Sequence, residues 1–76
     1  MIVNVETVRF LLRDQIAMTR GMPSPAYLDE TMTGLVQAAM RGERSTYQVS
    51  ANLKLTPTIS RLPDGFIWTD WNLESE

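Results

Sequence analysis

The hydrophobic period of this chain changes once, between Gly42 and Ser45, and that change sets the class of fold open to it. Ahead of the change, apolar residues recur every three or four positions, the spacing of one helix face; behind it they recur every second position, the spacing of one strand face. Two helical segments followed by short strands form an α+β chain, with a helical layer built on an antiparallel sheet.

The helices have clear limits. Asn4 is a good N-cap, Glu6 sits in the first turn where the helix dipole favours a carboxylate, and Val5, Val8, Leu12 and Ile16 form one stripe, so the spacing predicts a helix over 5–20. Gly21 and Pro23 end it. Ser24 and Pro25 then restart a helix, the hydroxyl as cap and the ring at the first helical position, which predicts a second helix over 25–41 closed by Gly42. Leu28, Met32, Leu35, Val36, Ala39 and Met40 share about a third of its circumference. The connection between the helices is short, which favours an antiparallel helical hairpin.

After the change of period, Tyr47, Val49, Ala51, Leu53 and Leu55 alternate with polar residues, which predicts one half-buried strand over 46–56, ended or bent by Pro57. A short extended piece at 58–62 leads into Pro63-Asp64-Gly65, where proline presets the first turn position and glycine accepts positive φ. A second arm follows at 66–71, so the pattern predicts a β-hairpin. The acidic end, Glu74 to Glu76, is expected to fray. The whole chain then reads as a single domain: an antiparallel helical hairpin followed by a small antiparallel sheet of two or three strands. Within it, Leu12, Leu35 and Leu53 are the expected core leucines.

Size restricts function as well as fold. A chain of 76 residues and 43% hydrophobic positions is too short for a multidomain enzyme and too apolar for a disordered tail. For so small a domain the gain from burial and the cost of ordering nearly cancel, and no cysteine or histidine is present to supply a disulfide or a zinc site. A partner chain is therefore expected, with a homo-oligomer as the simplest case. The lack of cysteine fits a cytoplasmic protein, and no secretory signal or membrane span is read from the apolar stretches.

Chemistry is thinly represented. Without histidine or cysteine there is no usual general base near neutral pH, no thiolate and no common transition-metal ligand; the carboxylates show no calcium-loop spacing, and no glycine-rich loop opens a helix. No enzyme activity, metal or cofactor is expected.

Three features remain as candidate contact sites. Arg9, Arg13 and Arg20 lie within about 40° on a helical wheel and form a stripe suited to phosphates or a partner's carboxylates, or simply a solvated face. Phe10 stands away from the main stripe, so the first helix has a second, weaker apolar side that is either sandwiched within the domain or lent to another chain. Phe66 and Trp68 fall on one side of the last strand and Ile67 and Trp71 on the other, so that both sides carry bulky residues. A strand at the end of the chain is expected at a sheet edge, with Trp71, and Trp68 if uncovered, at a binding surface.

These features favour a small non-enzymatic protein-binding module, self-associating, of the kind that serves bacteria and phages as an accessory or inhibitor protein. The alternative is a nucleic-acid-associated module using Arg9, Arg13, Arg20, Arg41 and Arg44. A net charge of −2 weighs against it, as does the lack of a helix-turn-helix or an aromatic-and-basic strand pattern.

Overall fold

A computed structural model describes residues 1–75 as two helices laid on one face of a four-stranded antiparallel sheet. In chain order the elements are β1 (Ile2–Val3), α1 (Val5–Arg20), α2 (Pro25–Met40), β2 (Tyr47–Ser50), β3 (Leu53–Arg61) and β4 (Ile67–Ser75). The order across the sheet is β1-β4-β3-β2. The class matches the sequence reading and α1 keeps its expected limits, whereas α2 ends one residue early, with Arg41 as its C-cap, and the sheet has one strand more.

Both helices start on side-chain caps. Asn4 Oδ1 accepts the Thr7 N–H at 2.8 Å, and Ser24 Oγ accepts the Tyr27 N–H at 3.2 Å, each satisfying a donor that the first turn leaves without a helical partner. Gly21 ends α1 at φ 92°, a value strained for any residue with a Cβ. The core is one cluster: Val8, Leu12 and Ile16 from α1, Leu28 and Met32 from α2, Leu55 from β3 and Trp71 from β4. Leu35, expected at the centre, is half-buried at its margin; Leu53, two residues from the fully buried Leu55, is half-buried and is not part of the cluster. Val5, the first residue of the expected stripe, stays exposed on the opening turn.

Four strand expectations are corrected. The run 46–56 is not one strand: it turns at Ala51-Asn52, and Tyr47 pairs with Leu55. A two-residue turn would shift the alternation by one, but a register shift between Gln48 and Ser50 restores it, so odd-numbered residues face the helices on both sides of the turn. Pro57 does not end a strand either, because it lies inside β3 opposite Trp71. The reason is directional. Leu62 N–H donates to the Phe66 carbonyl at 2.8 Å, so in this regular register the even-numbered residues of β3 bond to β4 and the odd ones face away. β2 stops at Tyr47, opposite Leu55, and Pro57 lacks its N–H on a side where no strand follows.

The other two corrections concern the ends. β1 was not expected; it pairs Ile2 with Asn72 and Val3 with Trp71, which makes β4 an inner strand rather than an edge. β4 also continues past 71, so Glu74 and Ser75 belong to the sheet, with Lys54 Nζ 3.8 Å from Glu74. Glu76 lies outside the described residues.

The hairpin at Pro63-Asp64-Gly65 forms as the turn residues dictate. Gly65 N–H donates to the Leu62 carbonyl at 3.0 Å, Asp64 Oδ1 accepts the Phe66 N–H at 3.1 Å, and Gly65 has φ 90°. This is a three-residue loop with glycine in the left-handed position.

Candidate functional site: an aromatic hairpin arm

β3 and β4 are nine residues each, whereas β2 has four and β1 two, and that disparity creates the most prominent surface of the protein. β2 covers β3 only as far as Leu55, leaving Ile59 and Arg61 with outward N–H and C=O groups that no strand among the described residues meets. The mirror relation holds on β4. Leu73 N–H donates to the Met1 carbonyl at 2.8 Å, so odd-numbered residues point towards β1; β1 reaches no further than Trp71, and among the described residues Ile67 and Thr69 have no strand alongside. The distal halves of β3 and β4 therefore form an arm with two open edges. Its effect on shape is measurable: the radius of gyration is 12.7 Å and the extents are 41 × 29 × 21 Å, against roughly 11.4 Å for a compact chain of this length.

Large side chains occupy the arm. Phe66 is 70% exposed and Trp68 59% exposed, both on the face of the sheet turned away from the helices, beside Leu62. The Trp68 indole N–H donates to Asp70 Oδ1 at 2.9 Å, which holds the ring along the strand and satisfies its polar atom. Farther down this face the residues become polar, from Ser60 and Thr58 to the Lys54–Glu74 pair.

Trp71 is placed differently from the sequence expectation. At 4% exposure it is core, packed with the residues of α1 and α2 over the helix-facing side of β4. The alternation of the strand had separated Trp68 from Trp71 correctly, but the edge position that would have exposed Trp71 is removed by β1. No periodicity announces β1, because two residues are too few to carry one.

The helical candidates are dispersed. Phe10 is 53% exposed and is neither sandwiched within the domain nor bare, since the Arg13 guanidinium lies 5.0 Å from its ring centroid. Arg9 bonds Asp29 on α2, tying the helices together, while Arg20 Nη1 approaches the Tyr27 hydroxyl at 3.4 Å and Arg13 Nε lies 4.0 Å from Asp14. Arg41 is held by Glu43. The stripe predicted on α1 thus exists as a line of residues, but its members serve intramolecular contacts.

A second surface was not foreseen. Beside the open edge of β4, an apolar groove of about 440 Å³ runs between Val5, Met32, Val36 and Met40 on the helices and Thr69 and Trp71 on the strand. Its signal in the sequence was Met40, the last residue of α2 on the apolar face, which is 44% exposed.

On the other flank, Tyr47 Oη donates to Gln15 Oε1 at 2.7 Å, and burial, reinforced by nearby Tyr27 and opposed by Arg20, raises the phenol above its ordinary value. Among the described residues no cluster of acidic side chains is arranged to hold a metal ion, and no helix is long and apolar enough to cross a membrane. Comparison of the chain with protein-family models, curated proteins and solved structures gives no match.

Proposed function

We propose that this protein is a non-enzymatic protein-binding module that engages its partner through the aromatic hairpin arm, as an accessory or inhibitor protein does. One observation carries the reading: Phe66 and Trp68, two bulky aromatic residues, stand exposed side by side on an arm whose backbone is unpaired along both edges. Exposed tryptophan on a rigid strand loses little freedom on binding and brings a large area to a contact, which is why such residues concentrate at interaction hot spots. Open strand edges add a second mode of attachment, the pairing of a partner strand. The nucleic-acid alternative has less support, because Arg9, Arg13, Arg20 and Arg41 are engaged within the chain and the net charge is −2.

The test is affinity capture from the source organism with wild-type protein and with a Phe66→Ser/Trp68→Ser variant, each with and without nuclease. The expected result is a defined protein that is retained by the wild type, is indifferent to nuclease and is lost with the variant. Equal capture by both proteins, or loss on nuclease treatment, overturns the reading.

A further inference from the structure

Arg20, the last residue of α1, stands in a hollow that contains no acidic side chain. The hollow, about 390 Å³, is lined by Gln15, Ile16, Thr19, Arg20, Tyr27 and Tyr47. An adjoining hollow of about 290 Å³ shares Ile16, Arg20 and Tyr27 with it and continues over Met22 and Pro23. We propose that the two hollows together bind an organic carboxylate with an apolar body, the carboxylate on Arg20 and the body against Ile16, Met22 and Pro23. None of these residues belongs to the aromatic arm, so this site stands independently of the reading given to the arm.

Charge is the first reason. Of the seven basic residues, Arg9, Arg13, Arg41 and Lys54 each lie within 4.0 Å of a carboxylate. Among the described residues Arg20 has no such partner. Its contact within the chain is the Tyr27 hydroxyl at 3.4 Å, a neutral group that leaves the positive charge uncompensated. Arg44 and Arg61 are also without a carboxylate, but neither lines these hollows. A guanidinium presents a planar fork that a carboxylate matches with two parallel hydrogen bonds. One cation balances one negative charge, which favours a carboxylate over a doubly charged phosphate.

The second reason is a surplus of hydrogen-bond donors. Tyr47 Oη donates to Gln15 Oε1 at 2.7 Å, so the carbonyl half of that amide is satisfied while its NH₂ half has no acceptor among the described residues. The Tyr27 hydroxyl receives Arg20 Nη1, and its own hydrogen has no acceptor among them either. Thr19 adds nothing to the surplus, because its hydroxyl is spent on the carbonyls of Gln15 and Ile16. Arg20, Gln15 and Tyr27 thus offer donors around one hollow, and an oxyanion is the group that supplies acceptors to all of them. Burial keeps the Tyr47 phenol protonated above its ordinary value, so it places no competing negative charge beside the site.

The third reason is the division of the walls. The polar groups Gln15, Thr19 and Tyr47 line only the first hollow, whereas Met22 and Pro23 line the second, with Arg20 common to both. A ligand with one charged end and one apolar end fits that division, and the volumes lie in the range of small-molecule sites.

The experiment is an amide NMR titration of the whole protein at constant ionic strength, with benzoate, N-acetylphenylalanine, N-acetylphenylalanine amide and inorganic phosphate as probes. Benzoate stands for a free acid and N-acetylphenylalanine for the carboxylate of a chain end. The variants are Arg20→Gln and, as a control, Arg44→Gln; both positions are exposed, so thermal melts are expected to match wild type. Both carboxylates are expected to give saturable shifts at Gln15, Arg20, Tyr27 and Tyr47, and the tighter of the two identifies the source of the carboxylate. Arg20→Gln is expected to weaken binding by about tenfold, the order of one charge-assisted pair, and Arg44→Gln to bind as wild type does. Four results overturn the proposal: no saturable shift with either carboxylate, undiminished binding by Arg20→Gln, an amide probe that binds as well as its acid, or phosphate held more tightly than both carboxylates.

Discussion

Pro57 lies directly opposite Trp71 in the β3–β4 ladder, both buried beneath the helices, so a residue without a backbone N–H and the largest side chain of the core meet at one point of the sheet. The arrangement is stable because Pro57 directs its missing donor outward, past the end of β2. Both side chains lie on the helix-facing side of the sheet.

Trp71 is therefore a structural residue. Replacing it with alanine removes the largest side chain of a seven-residue core and is expected to cost about 3–5 kcal/mol. Chemical denaturation measures this directly, and a wild-type midpoint for Trp71→Ala disproves it.

The leucines are expected to separate by burial rather than by helix or strand. Leu12 and Leu55 are fully buried, and truncation of either to alanine is expected to cost roughly 2–5 kcal/mol. Leu35, half-buried at the cluster margin, and Leu53, half-buried outside it, are expected to cost less than either. Equal losses in all four would show that the core extends farther along α2 and β3 than this packing allows.

Alkaline stability is expected to depend on Tyr47. Burial holds its hydroxyl protonated to higher pH than in the unfolded chain, where tyrosine ionises near ~10. Above that pH the unfolded state binds fewer protons than the folded one, so stability falls as pH rises; below it the contribution is complete. Denaturation profiles between neutral pH and the alkaline limit are expected to show this fall in wild type and a shallower one in Tyr47→Phe, which also loses the bond to Gln15. Parallel profiles for the two proteins would remove Tyr47 from the account.

The arm is expected to be dispensable for folding. The Phe66→Ser/Trp68→Ser variant removes side chains that are 70% and 59% exposed, so its melting temperature at low protein concentration is expected to match wild type closely. Calorimetry checks the statement.

The helices were legible because each signal is local: a cap, a stripe and a stop within sixteen residues. The strands were half-legible. Alternation put Leu53, Leu55 and Trp71 on the helix side and Phe66 and Trp68 on the other, as the register has them. It did not reveal the turn at Ala51-Asn52, because the bulge that follows restores the alternation that the turn would break. Nor did it reveal β1, whose two residues acquire meaning only from Trp71 and Asn72 at the far end of the chain. The exposure of the arm was hidden for the same reason: it depends on the unequal lengths of strands that pair across the sheet. The groove was hidden too, since it is a space between α2 and β4 and not a property of either sequence.

The strand order also has a kinetic side. With β4 between β1 and β3, residues 67–75 pair on both sides, locally with β3 through the hairpin loop and across the chain with β1. Until they are in place β1 has no neighbour, β3 pairs only through its first residues with β2, and the helices hold much of their apolar face over an unfinished floor. Helix formation is local and fast, whereas pairing of Ile2 with Asn72 closes nearly the whole chain and comes late. Before the β3–β4 hairpin docks under the helices and meets β1, a partly folded chain would carry apolar surface and open strand edges together, and in that interval it would be most prone to join the wrong neighbour.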